Sequence, residues 1–430
     1  MRKVCLPWKV LCIASIGLVP AIAYCQDTSK IITDGTQGEM QLSRDSIRHI
    51  TSRQPRNQFD LGFTTLKIGM GFLYEFATYA QNAEGKRQSD SGAYKLEPTF
   101  RTRDFRVLVS GTFNTKRSIS WRAGFMYDGQ SDGWFLRETG IMIGVPELKG
   151  NLFIGRTKEG FSFSKVMIGY SGWTMERQMA IDAIPLLADG IKWLGYLPKQ
   201  KIFFNVGAYT DWASKNQSFS TYHWQVAARV AWLPINSPKE NKLLHLGFNA
   251  RYGEPEDDQI RLRSRPEANP APYFIDTKVF PSEHSTSFGY EAYYSRGPLM
   301  IGSEYYLHNY NSPANGNPRF HGGELVVSYL FTGESRPYST VTGIYSFVPV
   351  TKPVFKGGWG AWEAVLRYSQ LDLDDGAING GKFWRITPMV NWYLTRILRL
   401  EFAYGYGILD RYHLKGATQF FQSRLQFSIL

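Results

Sequence analysis

Chemistry in this chain has to be carried by arginine and lysine, because the histidines are not arranged for it. His49, His223, His245, His284, His308, His321 and His413 are scattered, and no pair stands at His-x-x-x-His spacing. No serine-bearing nucleophile turn accompanies them, so neither metal hydrolysis nor a serine or cysteine triad has an address here. Gly69-Met70-Gly71 and Gly357-Gly358 sit in strand or turn settings, not ahead of a helix, and do not form phosphate-binding loops. Arginine and lysine do recur in ordered positions. A guanidinium presents a fixed fork of donors that matches oxyanion geometry, whereas an ammonium offers a compact charge that binds without slow release. A row of partly solvated cations suits passage of an anion better than one deep pocket does.

Many of these cations alternate with apolar residues. Arg122, Arg229, Arg251, Arg367, Arg385, Arg399 and Arg424 share one parity with Glu75, Glu291, Glu324, Glu363 and Glu401. Such near balance predicts structural networks, with Glu363 beside Arg367 and Glu401 beside Arg399. His223 and His245 fall on the same parity. Arg261, Arg263 and Arg265 follow the acidic run Glu254, Glu256, Asp257 and Asp258, which reads equally as a self-paired surface loop or an anion funnel.

The elements that must position these residues are strands. Leu66, Ile68, Met70, Phe72, Tyr74 and Phe76 alternate with smaller or polar residues. The same period of two returns at Ile119 to Tyr127, Tyr222 to Trp232, Leu244 to Tyr252, Trp362 to Tyr368 and Leu398 to Tyr406. Starts fall near Thr65, Arg103, Ser118, Trp134, Asn151, Gly190, Ile202, Tyr222, Leu243, Phe288, Leu299, His321, Gly360, Phe383, Leu398 and Gln419, about sixteen strands. The apolar stripes often end in aromatics (Tyr127, Trp232, Tyr252, Tyr406), as at a membrane interface. The opposite face carries Gly, Ser, Asn, Arg and Glu, a composition suited to a wet interior. These features favour a closed antiparallel transmembrane barrel over a sandwich. The last alternating run, Phe421 to Ile429, reaches the final residues.

Composition agrees. Aromatics make up 15% of the 430 residues, which excludes a disordered chain, and the mean hydropathy of −0.29 fits strands in which only every second residue is apolar. No segment after the first residues approaches the roughly 20 apolar residues of a membrane helix. Met1, Arg2, Lys3 and Lys9 precede the apolar stretch Val10 to Ala23, the pattern of a secretory signal peptide cleaved after Ala23 or Cys25. All three cysteines (Cys5, Cys12, Cys25) lie within residues 1–25, and loss of Arg2, Lys3 and Lys9 lowers the formal charge from +12 to +9 (12 − 3). Residues 26–60 are polar and unperiodic and read as a linker; residues 61–430 read as the barrel. Nucleic-acid binding is disfavoured because the aromatics occupy the apolar stripe and not the charged face.

Several blocks resemble a known family. Gly155-Arg156-Thr157-Lys158-Glu159-Gly160-Phe161 with Thr174-Met175-Glu176-Arg177, Trp359-Gly360-Ala361-Trp362-Glu363 with Arg367-Tyr368-Ser369 and Leu371-Asp372-Leu373, Val390-Asn391-Trp392-Tyr393-Leu394, and Gln422-Ser423-Arg424-Leu425-Gln426-Phe427 stand in the order found in the phosphate-selective porin O and P family. The resemblance spans about Phe100 to Leu430. Gly160 stands where many members carry proline.

The resemblance implies a sixteen-stranded trimeric outer-membrane porin whose third loop folds inward. Its passive, anion-selective channel would serve phosphate or polyphosphate, with no cofactor, no catalysis and no nucleic acid. Its partners would be phosphate or related anions, outer-membrane lipid and two further copies. Carried over by position, Lys165 falls where the third loop presents its lysine, and Arg101, Arg103 and Arg106 fall in the early arginine-rich strand. Asp104 stands at the second arginine of the paired motif. Arg261, Arg263 and Arg265 match a later contributor to the arginine track, and Arg122 joins the set through its inward parity. The alternative is a non-conducting barrel with a binding or structural role.

Overall fold

A computed structural model describes residues 57–214 and 220–429. The expected signal peptide and most of the expected linker therefore lie outside the described residues. Eighteen segments are hydrogen-bonded into one sheet. One of them, Gln58–Asp60, is a short appendage paired to the start of the first wall strand, within the stretch read as linker. Two others, Gly133–Leu136 and Thr139–Val145, form a single interrupted strand, because both pair with Ile119–Asp128. Sixteen wall strands remain, all antiparallel to their neighbours.

In chain order the wall consists of β1 (Thr65–Gln81), β2 (Thr99–Thr112), β3 (Ile119–Asp128), the interrupted β4, β5 (Gly150–Thr157), β6 (Ala188–Leu197), β7 (Ile202–Thr210) and β8 (Tyr222–Ser237). It continues with β9 (Lys242–Pro255), β10 (Ser285–Arg296), β11 (Leu299–Tyr310), β12 (Arg319–Leu330), β13 (Ala361–Asp375), β14 (Ile378–Tyr393), β15 (Leu398–Arg411) and β16 (Leu414–Ile429). β1 pairs with β2 on one side and with β16 on the other, from Met70↔Ile429 to Gln81↔Thr418, so the sheet closes and leaves no edge.

The alternation points as the sequence requires. Along β13, Glu363, Arg367 and Ser369 are buried while Leu366 and Tyr368 are exposed. All twelve arginines and glutamates assigned to the inward parity do face inward. The apolar stripe faces outward, where it can meet lipid. Tyr368, Trp384 and Tyr406 form a row with centroids 6.2 and 6.0 Å apart, and the stacked Trp362 and Trp392 lie nearer the other end. One parity expectation fails. A bulge at His223 shifts the start of β8 by one residue, so Tyr222 turns inward and His223 outward.

The short turns 146–149, 198–201, 238–241 and 297–298 share an end with both strand termini, β1 and β16. In barrels of this kind that end is the periplasmic one and the long loops are extracellular. Segments 158–187 and 256–284 leave the loop end and pack inside. Segment 331–360 enters from the turn end. They bury two apolar clusters against the inner wall, one around Phe161, Ile181, Phe274 and Phe383, the other around Phe163, Trp173, Tyr293 and Tyr345. Of these three insertions, the third loop alone was expected, and that from the family resemblance and not from periodicity. The hairpin Gln259–Ser264 with Ile275–Pro281 and the small hairpin Tyr338–Ser339 with Ile344–Tyr345 lie inside a barrel, where strands do not alternate between lipid and water.

Candidate functional site: a cationic cavity between the third and fifth loops

The third loop, residues 158–187, is positioned by its backbone. Its short helix Phe163–Val166 (α1) starts at Ser162, which holds a left-handed φ of 67° and whose side chain accepts the Lys165 N–H. Glu304 of β11 supplies the main anchor. Its carboxylate accepts the backbone N–H groups of Phe163 (2.6 Å) and Ser164 (3.1 Å), the Ser164 hydroxyl (2.5 Å) and the Gln178 amide (2.7 Å).

Farther along, side chains of the wall and of segment 331–360 donate to a series of loop carbonyls. Gln426 reaches Tyr170 O (2.9 Å), Arg336 Ser171 O (2.8 Å), Arg399 Gly172 O (2.6 Å) and Asn391 Trp173 O (2.8 Å). Arg424 reaches Met175 O, and Arg367 reaches Glu176 O at 2.8 Å. Three of the seven inward arginines, Arg367, Arg399 and Arg424, are thus engaged in holding the loop. Arg399 pairs with Glu401 as expected. Glu363 instead pairs with Arg336 (2.8 Å), a residue of the segment entering from the turn end, and Arg367 pairs with Glu267 (2.6 Å). The i, i+4 spacing of Glu363 and Arg367 gave no sign of these partners, because both come from segments distant in sequence.

A cavity of about 210 Å³ lies between the third loop and the fifth, residues 256–284. Six cations line it (Arg103, Lys165, Arg177, Arg261, Arg263 and Arg265) against three carboxylates (Glu176, Asp182 and Glu267). Arg103 holds Glu176 through two parallel bonds of 3.0 Å and Asp104 at 2.8 Å. Arg261 pairs with Asp276 at 2.6 Å, a partner in its own loop but outside the acidic run Glu254 to Asp258. Arg263 and Arg265 stack over the Tyr273 ring at 4.2 and 4.0 Å, and Arg265 donates to Ala271 O. The triplet is therefore divided in its contacts, one arginine ion-paired within the loop and two resting on Tyr273.

Lys165 is buried, with Glu159 at 3.7 Å, and its Nζ has no hydrogen-bond partner among the described residues. Burial lowers its pKa to about 8, an effect that the Glu159 charge offsets only in part.

The other expected residues surround this cavity. Arg101 donates to Asn269 O (2.6 Å), whose residue lines it. Arg106 pairs with Asp104 at 2.6 Å and lies over the Tyr170 ring. It lines an adjoining cavity of about 40 Å³ together with Arg103 and Arg177. Asp104, at the departed motif position, thus fixes both flanking arginines. Arg122 is not part of either cavity; it lies opposite Gly140 on the wall, where its charge acts with Lys158 and Arg137 on Glu138. Sequence reasoning missed Arg177, which lines both cavities and donates to Ser164 O and Met167 O. Its signal was present in the Thr174-Met175-Glu176-Arg177 block.

Two buried histidines are held by hydrogen bonds inside the barrel. His245 lies between Glu291 and the Tyr338 hydroxyl, and His308 lies between Ser287 and Ala180 O.

Comparison with known proteins bears on the family and the fold. A sequence profile described as phosphate-selective porin O and P matches residues 79–429. An uncharacterized protein of Caulobacter vibrioides is 32% identical over 179 residues, which is 41% of this chain and 35% of that protein, so the chain spans about a third of that relative's length. Among solved structures, an OmpT loop-deletion mutant from Vibrio cholerae has a TM-score of 0.53 at 12% identity, covering 85% of this chain and 99% of the other. An anion-selective porin from Comamonas acidovorans has a TM-score of 0.51 at 12% identity over 85% and 100%. The outer-membrane channel DcaP of Acinetobacter baumannii has a TM-score of 0.52 at 10% identity over 86% and 99%. These structural likenesses concern the fold.

Proposed function

The chain belongs to the phosphate-selective porin O and P family, and from that membership we propose that it is an outer-membrane porin with a passive, anion-selective pore for phosphate or polyphosphate. The observation that carries the reading is the cavity itself, where six cations meet three carboxylates and Lys165 keeps an unsatisfied ammonium. An anion arriving there would find Arg103 held by Asp104, Arg265 by Tyr273 and Arg177 by loop carbonyls. Because those groups are partly engaged, it would also be able to leave. Export through a signal peptide and assembly as a homotrimer belong to the same reading.

The second reading, a non-conducting barrel, is favoured by one observation: three inserted segments pack apolar clusters inside the wall. Planar-bilayer recording separates the two. The porin reading expects an anion-selective reversal potential in a KCl gradient and block of chloride current by added phosphate. Lys165→Ala should weaken that block. Cation selectivity or a silent bilayer would overturn it, and unchanged block in Lys165→Ala would remove Lys165 from the site.

A further inference from the structure

The cavity is not built of donors alone. Ile181, Ile184 and Leu186 from the end of the third loop line it, as do Ala268 and Tyr273 from the fifth. Ile181, Ile184 and Ala268 are packed into the apolar cluster. Leu186 and Tyr273 are only half-buried and both line the cavity. Tyr273 is also the ring on which Arg263 and Arg265 lie.

A bare tetrahedral oxyanion gains nothing from such surface. Its affinity comes from charged donors, while every apolar group beside it displaces water that would have solvated it. An anion with an apolar body gains on both counts, because its head meets guanidinium or ammonium and its body removes leucine and tyrosine surface from water. The volume of about 210 Å³ holds on the order of ten water-sized groups, more than one phosphate fills.

We propose that this cavity selects organic phosphate monoesters carrying a compact apolar or aromatic body over inorganic phosphate. The ester phosphate lies among Arg103, Arg177 and Lys165, and the body lies against Leu186 and Tyr273. The inference rests on the anion-porin reading and names the substrate class of the same cavity.

Phenyl phosphate, methyl phosphate and inorganic phosphate are titrated as blockers of chloride current through the full-length protein in planar bilayers. Each buried methylene is worth roughly fourfold in affinity, so methyl phosphate should half-block at about a fourfold lower concentration than inorganic phosphate. Phenyl phosphate should do so at least about tenfold lower. Tyr273→Ala and, independently, Leu186→Ser should each shrink the phenyl-to-inorganic ratio at least threefold, roughly the loss of one buried methyl group. Equal block by the three compounds in an anion-selective pore overturns this inference and leaves the porin reading intact. So does a ratio that neither variant moves. A pore that is cation-selective or silent fails the porin reading first.

Discussion

Replacing Glu304 tests whether one wall carboxylate keeps the third loop in place. All four of its close partners donate: two backbone N–H groups, the Ser164 hydroxyl and the Gln178 amide. Glu304→Ala strands three N–H donors that cannot turn away, since two are backbone and the third is on buried Gln178. At about 1 kcal/mol each, the low end for a buried unsatisfied donor, the loss is roughly 3 kcal/mol. That shifts the docking equilibrium of the loop about 150-fold. Glu304→Gln is a sharper probe because it keeps the volume. Its single amide oxygen can serve one cluster of donors, but its NH2 confronts the others, so roughly half of the loss should remain. Single-channel recording reads the outcome as added open-channel noise and a reduced anion-to-cation permeability ratio in Glu304→Ala, with Glu304→Gln intermediate. Limited trypsin digestion at Arg177 provides a second readout, with faster cleavage expected in the same order. If both variants match the unmodified protein in noise, selectivity and cleavage rate, the carboxylate is not what seats the loop.

Further outcomes follow from single groups. Lys165 carries its charge below a pKa of about 8 and loses it above, so anion selectivity measured with KCl should fall between pH 7 and 9; Lys165→Arg, charged throughout, should flatten that profile. Arg177→Ala, which removes a cation common to both cavities, should lower chloride conductance more than Arg122→Ala, which removes one from neither. Arg336→Ala leaves the Glu363 carboxylate buried beside Ser328, Asn391 and Tyr393 without its guanidinium. It should cost about 3–5 kcal/mol, seen as conversion of the folded band to the unfolded one at a lower temperature in heat-modified gels.

The wall was legible because lipid and water impose a period of two along every strand. Starts expected at Thr65, Ile202, Tyr222, Leu299 and Leu398 fall on the observed residues. The one parity failure, at His223, comes from a bulge, which is invisible to a rule that counts residues. The inserted segments were not legible for a related reason. Phe274 and Tyr345 pack against the inner wall, and such contacts impose no period. The site was read in part. Arg103, Lys165, Arg263 and Arg265, positions carried over from the family resemblance, gather at one cavity, but Glu267 and Arg336 find their partners across intervals of 100 and 27 residues (367 − 267 and 363 − 336). Nothing local encodes such pairs.

The grip on residues 170–176 is made through carbonyl oxygens, which every amino acid possesses. At Thr174 the side chain can be exchanged without losing that main-chain grip, whereas Tyr170, Trp173, Met175 and Glu176 are also held through their side chains. Mutation at that one position, natural or designed, is thus free to retune what passes through the pore while the wall stays the same. A library randomised at Thr174 on this fixed frame should yield folded barrels at high frequency, differing mainly in permeability.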